Sequence, residues 1–330
     1  MVSSPSEVPE KTREFVFLLV PEFSMIAFAA AIEPLRIANR MSRRPLFAWR
    51  LASDGQRTVE CSNGCTVAPD MDLVDLRRDT SVVVCAGMNL RDAISRPILT
   101  WLRKQSRLGV AMGAVCSGAH VLAKAGLLDN KRCTIHWENQ AAFAEEFPET
   151  ELSNLLFCID EGVFTCAGGT AAADMMLQLI AGEHGSDLAS LVADSLIHTQ
   201  VRGDTDEQRL SVPARIGVRH PKLVSIIQTM EQNTEEPISP SNLAKGVAMS
   251  TRQLERLFRR YLNRSPKRYY MELRLDKARN LLLQTDMSVI NVALACGFTS
   301  PSHFSKCYRN HFDRTPYRER GAPSDRKATA

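Results

Sequence analysis

The sequence predicts two domains of different fold class, an α/β domain followed by an all-α domain. Strand-like and helical segments alternate up to residue 200, which is the pattern of a mostly parallel sheet covered by helices. After residue 220 the apolar residues recur only at helical spacing. The length of 330 residues and the hydrophobic content of 44% suffice for two cores that need no disulfides or metal ions.

Six short runs in the first part have the composition of β-strands. They are Phe15–Val20, Phe47–Ser53, Ser81–Ala86, Leu108–Ala114, Leu155–Ile159 and Val163–Ala167. Helical patterns separate several of these runs. They are Met25–Asn39, Arg91–Arg107, Gly118–Ala125, Glu138–Glu146, Thr170–His184 and Asp187–Thr199. The run Ser81–Ala86 is apolar without alternation, which predicts a strand that is buried on both faces.

The second part consists of predicted helices that follow a polar connection. This connection, Arg202–Pro221, contains proline and glycine and is predicted to be a linker. The helices are Lys222–Gln232, Pro240–Val247, Thr251–Leu262, Pro266–Leu283, Val289–Ala295 and Pro301–Phe312. The predicted organisation is a disordered lead at 1–13, the α/β domain at 14–200, the linker at 201–219, the helical domain at 220–320 and a disordered tail at 321–330.

Electric charge is distributed unevenly between the two parts. Residues 219–330 carry 20 Lys and Arg against 10 Asp and Glu, whereas residues 1–218 carry 21 against 27. A basic domain attached to an acidic one indicates that the second part binds a polyanion and that the first part has another task. No apolar run approaches the roughly 20 residues of a membrane helix, and the N-terminus lacks the apolar segment of a signal peptide.

Cysteine usage indicates a reducing cytoplasm. The nine cysteines are unevenly spaced, which is typical of free thiols and not of a disulfide framework. Cys61 and Cys65 form a CxxxC pair without a second pair of ligands nearby. The sequence therefore predicts neither a metal ion nor a cofactor.

The helical part repeats itself at an offset of 50 residues. The repeated positions are a serine before a helix, the apolar and basic residues of that helix, and a later proline. They pair Ser250, Leu254, Arg256, Leu257, Phe258, Arg259, Leu262 and Pro266 with Ser300, Phe304, Lys306, Cys307, Tyr308, Arg309, Phe312 and Pro316. Each helix has an apolar face and a polar, mostly basic face, and a short helix and a tight turn precede it. Two such helix-turn-helix units in register favour DNA binding over a solvated helical bundle.

The run from His220 to Arg318 resembles the AraC/XylS-type DNA-binding domain. The most specific stretch runs from Ala295 to Arg309, followed by Phe312 and Thr315-Pro316. The resemblance implies that the residues contacting base edges are Arg252, Glu255, Arg256, Ser302, His303 and Lys306. Arg259 and Arg309 are expected to contact phosphates, which positions a protein on DNA without reading its sequence. Double-stranded DNA is therefore the expected partner.

A cysteine at the end of a predicted strand is the second informative feature. The apolar run ends at Cys116, and the small residues 117–119 begin a helix. This strand–turn–helix arrangement, here called the elbow, places a side chain above the sheet edge beside the free N–H groups of a helix start. Such a position lowers the pKa of a thiol and favours anions. Gly87, directly after the run Ser81–Ala86, is expected to bring another backbone N–H nearby.

The first part resembles the class I glutamine amidotransferase-like fold, a flavodoxin-like sheet with a nucleophile elbow, of the kind found in ThiJ and intracellular-protease proteins. The motifs are Ile32–Arg36, the elbow, Thr134–Trp137 and Thr165–Asp174. The resemblance implies that Glu33 approaches Cys116 and that His136 lies near the same pocket, so these three are the catalytic candidates if the domain is an enzyme. Ser117 stands where protease-type members have histidine, and no C-terminal His-x-Glu pair follows. The domain is therefore predicted to be non-catalytic.

The pocket at the elbow is predicted to bind a ligand. Its expected lining is Glu33, Gly87, Cys116, Ser117, His136 and Trp137. Trp137 offers a cation–π face if it lines this pocket, although a plain core position is the favoured interpretation. His120, one turn further along, is expected to point elsewhere, and His198 is expected to be an ordinary surface histidine of a helix.

The two parts together resemble transcriptional regulators that join an amidotransferase-like sensor to an AraC-type reader. Relatives in this group respond to nitrogenous metabolites such as amino acids, betaines or carnitine, so a small effector of that class is expected. The resemblance also implies a cytoplasmic homodimer that acts as an activator with RNA polymerase and without a membrane. Two alternatives stay open: a cysteine-dependent hydrolase that also binds DNA, and a first domain that serves only dimerisation.

Overall fold

The computed structural model describes residues 12–87, 90–160, 162–209 and 211–321. The chain divides into two compact units, Met1–Gln208 and Arg209–Ala330. Most of the predicted lead and tail lies outside the described residues, and the first strand begins at Arg13, the last residue assigned to the lead. Among the described residues, no helix is both long enough and apolar enough to cross a membrane.

The first unit is built on a sheet that is parallel except at one edge. Its strands are β1 (Arg13–Leu19), β2 (Phe47–Ala52), β3 (Val59–Glu60), β4 (Thr66–Val67), β5 (Thr80–Ala86), β6 (Ala111–Cys116), β7 (Arg132–Thr134), β8 (Glu151–Ser153), β9 (Phe157–Asp160) and β10 (Val163–Cys166). Six of them form one sheet in the order β2-β1-β5-β6-β10-β9, in which β9 runs antiparallel to β10 and the other pairs are parallel. All six runs predicted as strands contribute to this sheet, which confirms the α/β class.

Helices cover both faces of the sheet. They are α1 (Met25–Ser42), α2 (Leu90–Ala93), α3 (Arg96–Arg107), α4 (Gly118–Lys124), α5 (Gln140–Glu146), α6 (Ala171–His184) and α7 (Ser186–Ser195). The single helix predicted at Arg91–Arg107 is two helices. Ser95 caps the start of α3, and Pro97 in the first turn of α3 has no N–H with which to extend a preceding helix. The strand β6 begins later than predicted, since Gly109 at φ 85° turns the chain after α3.

Alternate residues of β1 face two separate cores. Phe15, Phe17 and Leu19 belong to the core with α1, α6 and α7, and Val16 and Leu18 belong to the core with α3 and α4. All of these side chains are buried. A strand that is covered on both faces has no polar alternation, which explains its continuous apolar sequence.

A buried carboxylate anchors the end of the first unit. The Asp174 side chain on α6 is fully buried and accepts hydrogen bonds from the Arg202 backbone N–H at 2.9 Å and from the Arg202 Nη2 at 2.6 Å. His198 Nε2 lies 2.7 Å from the same carboxylate. The expectation that His198 is an ordinary surface histidine is therefore wrong, because the residue follows α7 and is a partner of a buried charge.

The segment predicted as a linker is structured on both sides of the domain boundary. Gln208 Nε2 donates to Thr134 Oγ1 at 2.8 Å and to Ile135 O at 2.9 Å, so residues up to Gln208 belong to the first unit. A short helix, α8 (Val212–Ile216), follows, and Val212 is buried in the core of the second unit. Hydrogen bonds of Arg202 and Gln208 hold the first half of this segment, and a polar sequence gives no sign of such packing.

The described part of the second unit is helical. After α8 its helices are α9 (Pro221–Gln232), α10 (Pro240–Gly246), α11 (Thr251–Leu262), α12 (Pro266–Gln284), α13 (Val289–Ala295), α14 (Pro301–Phe312) and α15 (Pro316–Gly321). All six predicted helices are present. The additional helices α8 and α15 are too short to show an apolar period in the sequence.

The substitution Arg202→Met is expected to destabilise the first unit by about 3 kcal/mol, because it leaves the buried Asp174 carboxylate without its cation. The three tryptophans are at positions 49, 101 and 137, so urea unfolding followed by tryptophan fluorescence reports on this unit alone. The control Arg77→Met removes an exposed ion pair with Asp79 and is expected to change the free energy of unfolding by less than about 1 kcal/mol. Equal effects of the two substitutions would contradict the anchoring role.

Candidate nucleic-acid interface and elbow

The first helix-turn-helix consists of α10, a turn and α11. After α10 the chain turns at Ala248, whose φ of 50° is left-handed, and the Met249 N–H donates to Ala244 O at 2.9 Å. Ser250 then caps α11: its hydroxyl accepts from Gln253 N at 3.2 Å, and its N–H donates to Gln253 Oε1 at 2.8 Å. The cap determines where α11 begins and therefore which of its side chains face outward.

The second helix-turn-helix consists of α13, a turn and α14. Gly297 at φ 71° is the turn residue, and the Phe298 N–H donates to Ala293 O at 2.8 Å. Ser300 caps α14 by accepting from His303 N at 3.3 Å. The left-handed turn residues Ala248 and Gly297 are 49 positions apart, whereas α11 and α14 are 50 apart. The second helix-turn-helix thus has one more residue between its turn residue and its second helix.

The helices α11 and α14, here called the recognition helices, each bury one face. The buried side chains are Leu254, Leu257 and Phe258 on α11 and Phe304 and Tyr308 on α14. The predicted DNA-contacting residues lie on the exposed faces, with Arg252, Glu255, Arg256 and Arg259 on α11 and Ser302, His303, Lys306 and Arg309 on α14. Within the described residues, none of the charged members of this set has an ion pair. Their charges are therefore available to an external partner such as DNA phosphate.

The elbow joins β6 to α4 where several backbone segments crowd together. Cys116 has a φ of 58°, a left-handed value that is uncommon outside glycine. A Cβ on Gly118 would overlap Val84 O, and a Cβ on Gly168 would lie 2.7 Å from the Cys116 Cβ. Positions without side chains thus allow the ends of β5, β6 and β10 to meet at Cys116.

Ser117 and Gly87 connect the elbow to the neighbouring strand. Ser117 is fully buried, and its hydroxyl donates to Gly87 O. Gly87 is so close to Glu22 O that a Cβ there would overlap it. The Gly87 N–H was expected at the pocket, whereas in the structure the Gly87 carbonyl accepts the hydrogen bond from Ser117. These residues hold the elbow in shape, and direct ligand contacts from them stay a prediction.

The surroundings of Cys116 favour the thiol over the thiolate. Burial raises the pKa of Cys116, hydrogen bonds with Ser117 lower it only in part, and the Glu138 carboxylate adds to the rise. The lowered pKa that sequence analysis expected at a helix start is thus outweighed by desolvation. In the described part of the chain no histidine nitrogen lies within hydrogen-bonding distance of the thiol. His120 packs on the Phe147 ring with a centroid distance of 5.1 Å, and burial lowers its pKa to about 4.

His136, Trp137 and Glu138 form a segment next to Cys116, here called the elbow loop. The His136 N–H donates to Cys116 O at 3.4 Å, and its ring Nδ1 lies 3.7 Å from the Glu138 carboxylate. Burial lowers the pKa of His136 and Glu138 raises it, burial being the larger effect. The Trp137 side chain is 38% exposed, so its interpretation as a plain core residue is wrong. The elbow loop presents an imidazole, an indole and a carboxylate close to the elbow.

Glu33 is engaged on its own helix. Its carboxylate accepts from Arg36 Nε at 2.8 Å and from Arg36 Nη2 at 2.5 Å, and its side chain is 43% exposed. The carboxylate that shifts the pKa of Cys116 belongs to Glu138. The approach of Glu33 to Cys116 therefore stays a prediction from the resemblance.

Two contacts that sequence analysis missed connect the elbow region with the end of the first unit. Gln208 binds Thr134 and Ile135, directly before the elbow loop. Arg202 Nη2 donates to Thr170 Oγ1 at 2.7 Å, and Thr170 stands at the start of α6, two positions after the Gly168 that abuts Cys116. Both residues belong to a polar segment interpreted as a linker. The sequence offers one signal for these contacts. Asp174 is a charged residue within an otherwise apolar helix pattern, and a buried carboxylate requires a cationic partner.

Known proteins match both units. Residues 17–182 match the DJ-1/PfpI family, and residues 243–322 match a helix-turn-helix domain family. The HTH-type transcriptional regulator GbdR of Pseudomonas aeruginosa is 46% identical over 304 residues, which cover 92% of this chain and 83% of that protein. This chain belongs to the AraC family of transcriptional regulators. The HTH-type transcriptional regulators CdhR of Pseudomonas aeruginosa, at 45% identity over 94% of this chain and 92% of that protein, and GlxA of Rhizobium meliloti, at 40% over 91% and 93%, agree with this membership.

Solved structures support the fold of the first unit of this AraC-family regulator. A crystal structure of an AraC family transcriptional regulator from Pseudomonas putida is 29% identical and covers 56% of this chain and 99% of its own, with a TM-score of 0.50. A ThiJ/PfpI family protein from Pseudomonas syringae covers 70% of this chain and 92% of its own at 17% identity and a TM-score of 0.52, which shows the fold alone. The two family matches and the curated relatives confirm the resemblances to the AraC type and to the ThiJ type.

Cys116 is expected to react roughly tenfold or more slowly with iodoacetamide at pH 7 than the exposed Cys65, because a buried thiol with a raised pKa supplies little thiolate. Its rate should increase as the pH approaches and passes the raised pKa. Peptide-resolved mass spectrometry of the native protein measures both thiols in one sample, so Cys65 is the internal control. Faster labelling of Cys116 at pH 7 would indicate an activated nucleophile and favour a hydrolase.

Proposed function

We propose that this regulator reads a specific DNA sequence with its two recognition helices and that a small nitrogenous metabolite at the elbow controls it. The DNA-binding part is supported by one observation above all. Two helices with equivalent serine caps each present an exposed face whose charges have no ion-pair partner among the described residues. A protein that exposes two such faces in one basic unit is suited to bind a polyanion.

Each recognition helix has residues for base reading and for phosphate contact. Arg252 and Arg256 can donate to guanine O6 and N7, and Glu255 can accept from cytosine N4. Ser302, His303 and Lys306 take the corresponding role on α14, whereas Arg259 and Arg309 contact phosphates. The two helices address successive major-groove segments, which lie roughly 34 Å apart on one face of DNA.

The elbow loop supports the choice of a nitrogenous effector. The partly exposed Trp137 offers an indole face to a cation, and the Glu138 carboxylate of the same loop lies 3.7 Å from His136 Nδ1. Glu33, whose carboxylate binds Arg36 on its own helix, joins this lining by resemblance, and the other lining residues of this proposal are Gly87, Cys116, Ser117 and His136. Such an effector can change the affinity for DNA only if it binds one conformation of the protein more tightly than another, and that difference in binding free energy limits the size of the change.

We assign the first unit a sensing role without catalysis. The raised pKa of Cys116, and the absence of a hydrogen-bonded histidine among the described residues, support this assignment. By resemblance to sensor-linked regulators, the protein acts in the cytoplasm as a homodimer and activates transcription together with RNA polymerase.

Arg256→Ala is expected to relax base preference, because it removes a bidentate base contact that discriminates by about 1–3 kcal/mol. Arg259→Ala is expected to weaken binding to all sequences alike and to reduce the salt slope by about 1, because it removes a phosphate contact. Fluorescence anisotropy over a salt series, with duplexes selected from a random pool by the full-length protein, measures both effects.

The matched control for these two variants is Arg77→Met, which removes a cation from the first unit. It is expected to leave affinity and salt slope unchanged. Unchanged binding by both Arg256→Ala and Arg259→Ala would show that α11 does not face DNA.

A nitrogenous effector is expected to raise the thermal midpoint of the first unit, since a ligand at a hundredfold excess over its Kd stabilises by about 2.7 kcal/mol. Scanning calorimetry with amino acids, glycine betaine and carnitine tests the class, with neutral sugars as controls. Trp137→Leu should abolish the shift, whereas Trp49→Leu, outside the elbow loop, should preserve it. A shift with a sugar and with none of the nitrogenous compounds would refute the proposed class.

A further inference from the structure

The long helix α12 carries three polar side chains on one stripe. Tyr270, Arg274 and Lys277 recur at i, i+4 and i+7 and therefore share a face. Tyr270 Oη donates to Asn233 O, and Lys277 Nζ donates to Thr234 Oγ1 at 3.2 Å. Both acceptors belong to residues 233–239, here called the entry loop, which leads into the first helix-turn-helix. Two residues of the stripe thus bind the entry loop in front of the first helix-turn-helix.

Arg274, in the middle of this stripe, binds the turn of the second helix-turn-helix. Its Nε donates to Cys296 O and its Nη2 to Gly297 O, both at 2.7 Å. Its guanidinium lies 4.2 Å from the centroid of the Phe298 ring. Carbonyl groups at the end of a helix lack intrahelical partners and carry partial negative charge, so a guanidinium both satisfies and attracts those that follow α13.

The turn of the second helix-turn-helix also packs on the entry loop that leads into the first. A Cβ at Gly297 would lie 2.5 Å from Glu235 O and 2.7 Å from Pro237 Cδ. Only glycine fits so close to a neighbouring backbone while holding a φ of 71°. Arg274 therefore acts at the point where α12, the entry loop and the second turn meet.

The chemistry of arginine suits this position. Burial lowers the pKa of Arg274, yet a guanidinium remains charged in proteins. Its planar fork reaches two carbonyls at once, whereas a lysine ammonium has no such fork. Without Arg274 both carbonyls lose their side-chain partner, and the turn is released from α12. The caps Ser250 and Ser300 are separate from this contact, so each recognition helix keeps its own start.

We infer that Arg274 is a positioning residue for DNA recognition, which fixes the second turn on α12 and so sets α14 in register with α11. The inference rests on the DNA-binding role of the protein. It requires no contact between Arg274 and DNA. Neither helix-turn-helix fixes its orientation relative to the other by itself. Arg274 contributes to that orientation because it joins α12 to the second turn.

The experiment is selection from a random pool of duplex DNA by the full-length protein, followed by affinity measurements on the enriched sequences. Wild type is expected to enrich a two-part site. Arg274→Met is expected to keep base preference in the first part and to lose it in the second. Scrambling the second part should then change the affinity of Arg274→Met by less than about twofold, but that of wild type by roughly tenfold or more.

Two further variants make the comparison specific. Arg268→Met removes the same charge from an exposed ion pair with Glu272 on the same helix, and it is expected to keep preference in both parts. Arg274→Lys keeps the charge but not the fork and is expected to lose part of the second preference. Circular dichroism shows whether each variant is folded. If Arg274→Met is not folded, Arg274→Lys tests the inference in its place.

The possible results separate the inference from the function on which it rests. Full preference in both parts for folded Arg274→Met or Arg274→Lys would overturn the inference alone. Equal loss in both parts by a variant with the thermal midpoint of wild type would also overturn it. Failure of wild type to enrich any sequence would refute DNA reading itself and the inference with it.

Discussion

The buried carboxylate of Asp174 needs a cation, and this need determines how the first unit ends. The helix α6 brings the carboxylate into the core, and Arg202 returns from beyond α7 to neutralise it. The same guanidinium reaches Thr170, close in sequence to the Gly168 that abuts the elbow. One ion pair thus joins the core, the neighbourhood of Cys116 and the chain segment that leads to the second unit. A buried charge that lost this partner would be strongly destabilising.

The elbow shows how the same backbone geometry can serve different chemistry. Its left-handed cysteine between a strand and a helix is the arrangement that enzymes use to present a nucleophile. Here burial raises the pKa of Cys116, and His136 contacts it through the backbone while its ring faces Glu138. The described polar groups nearest the elbow therefore lack the arrangement that activates a nucleophilic thiol, in which a base lies within hydrogen-bonding distance of the sulfur.

Features set by local spacing were predictable from the sequence, and features set by distant partners were not. The apolar strands and the apolar and basic faces of the two repeated helices follow from spacing, so the fold class and the exposed faces of both recognition helices were predicted. The pKa of Cys116 depends on two opposing effects, a helix start and burial, and only the folded geometry shows which is larger. Arg202 and Arg274 bond to groups more than 20 positions away, and no periodic pattern signals such contacts.

The extra residue in the second turn has a consequence for exchanging parts between the two halves of the repeat. Each recognition helix has 12 residues, a serine cap before it and a left-handed residue after it, Asn263 or Asp313. The extra residue lies outside this length. The outward positions of α11 and α14 therefore form matching cassettes, whose side chains correspond one to one. An exchange that included the turns would instead lengthen the first helix-turn-helix by one residue and shorten the second by one.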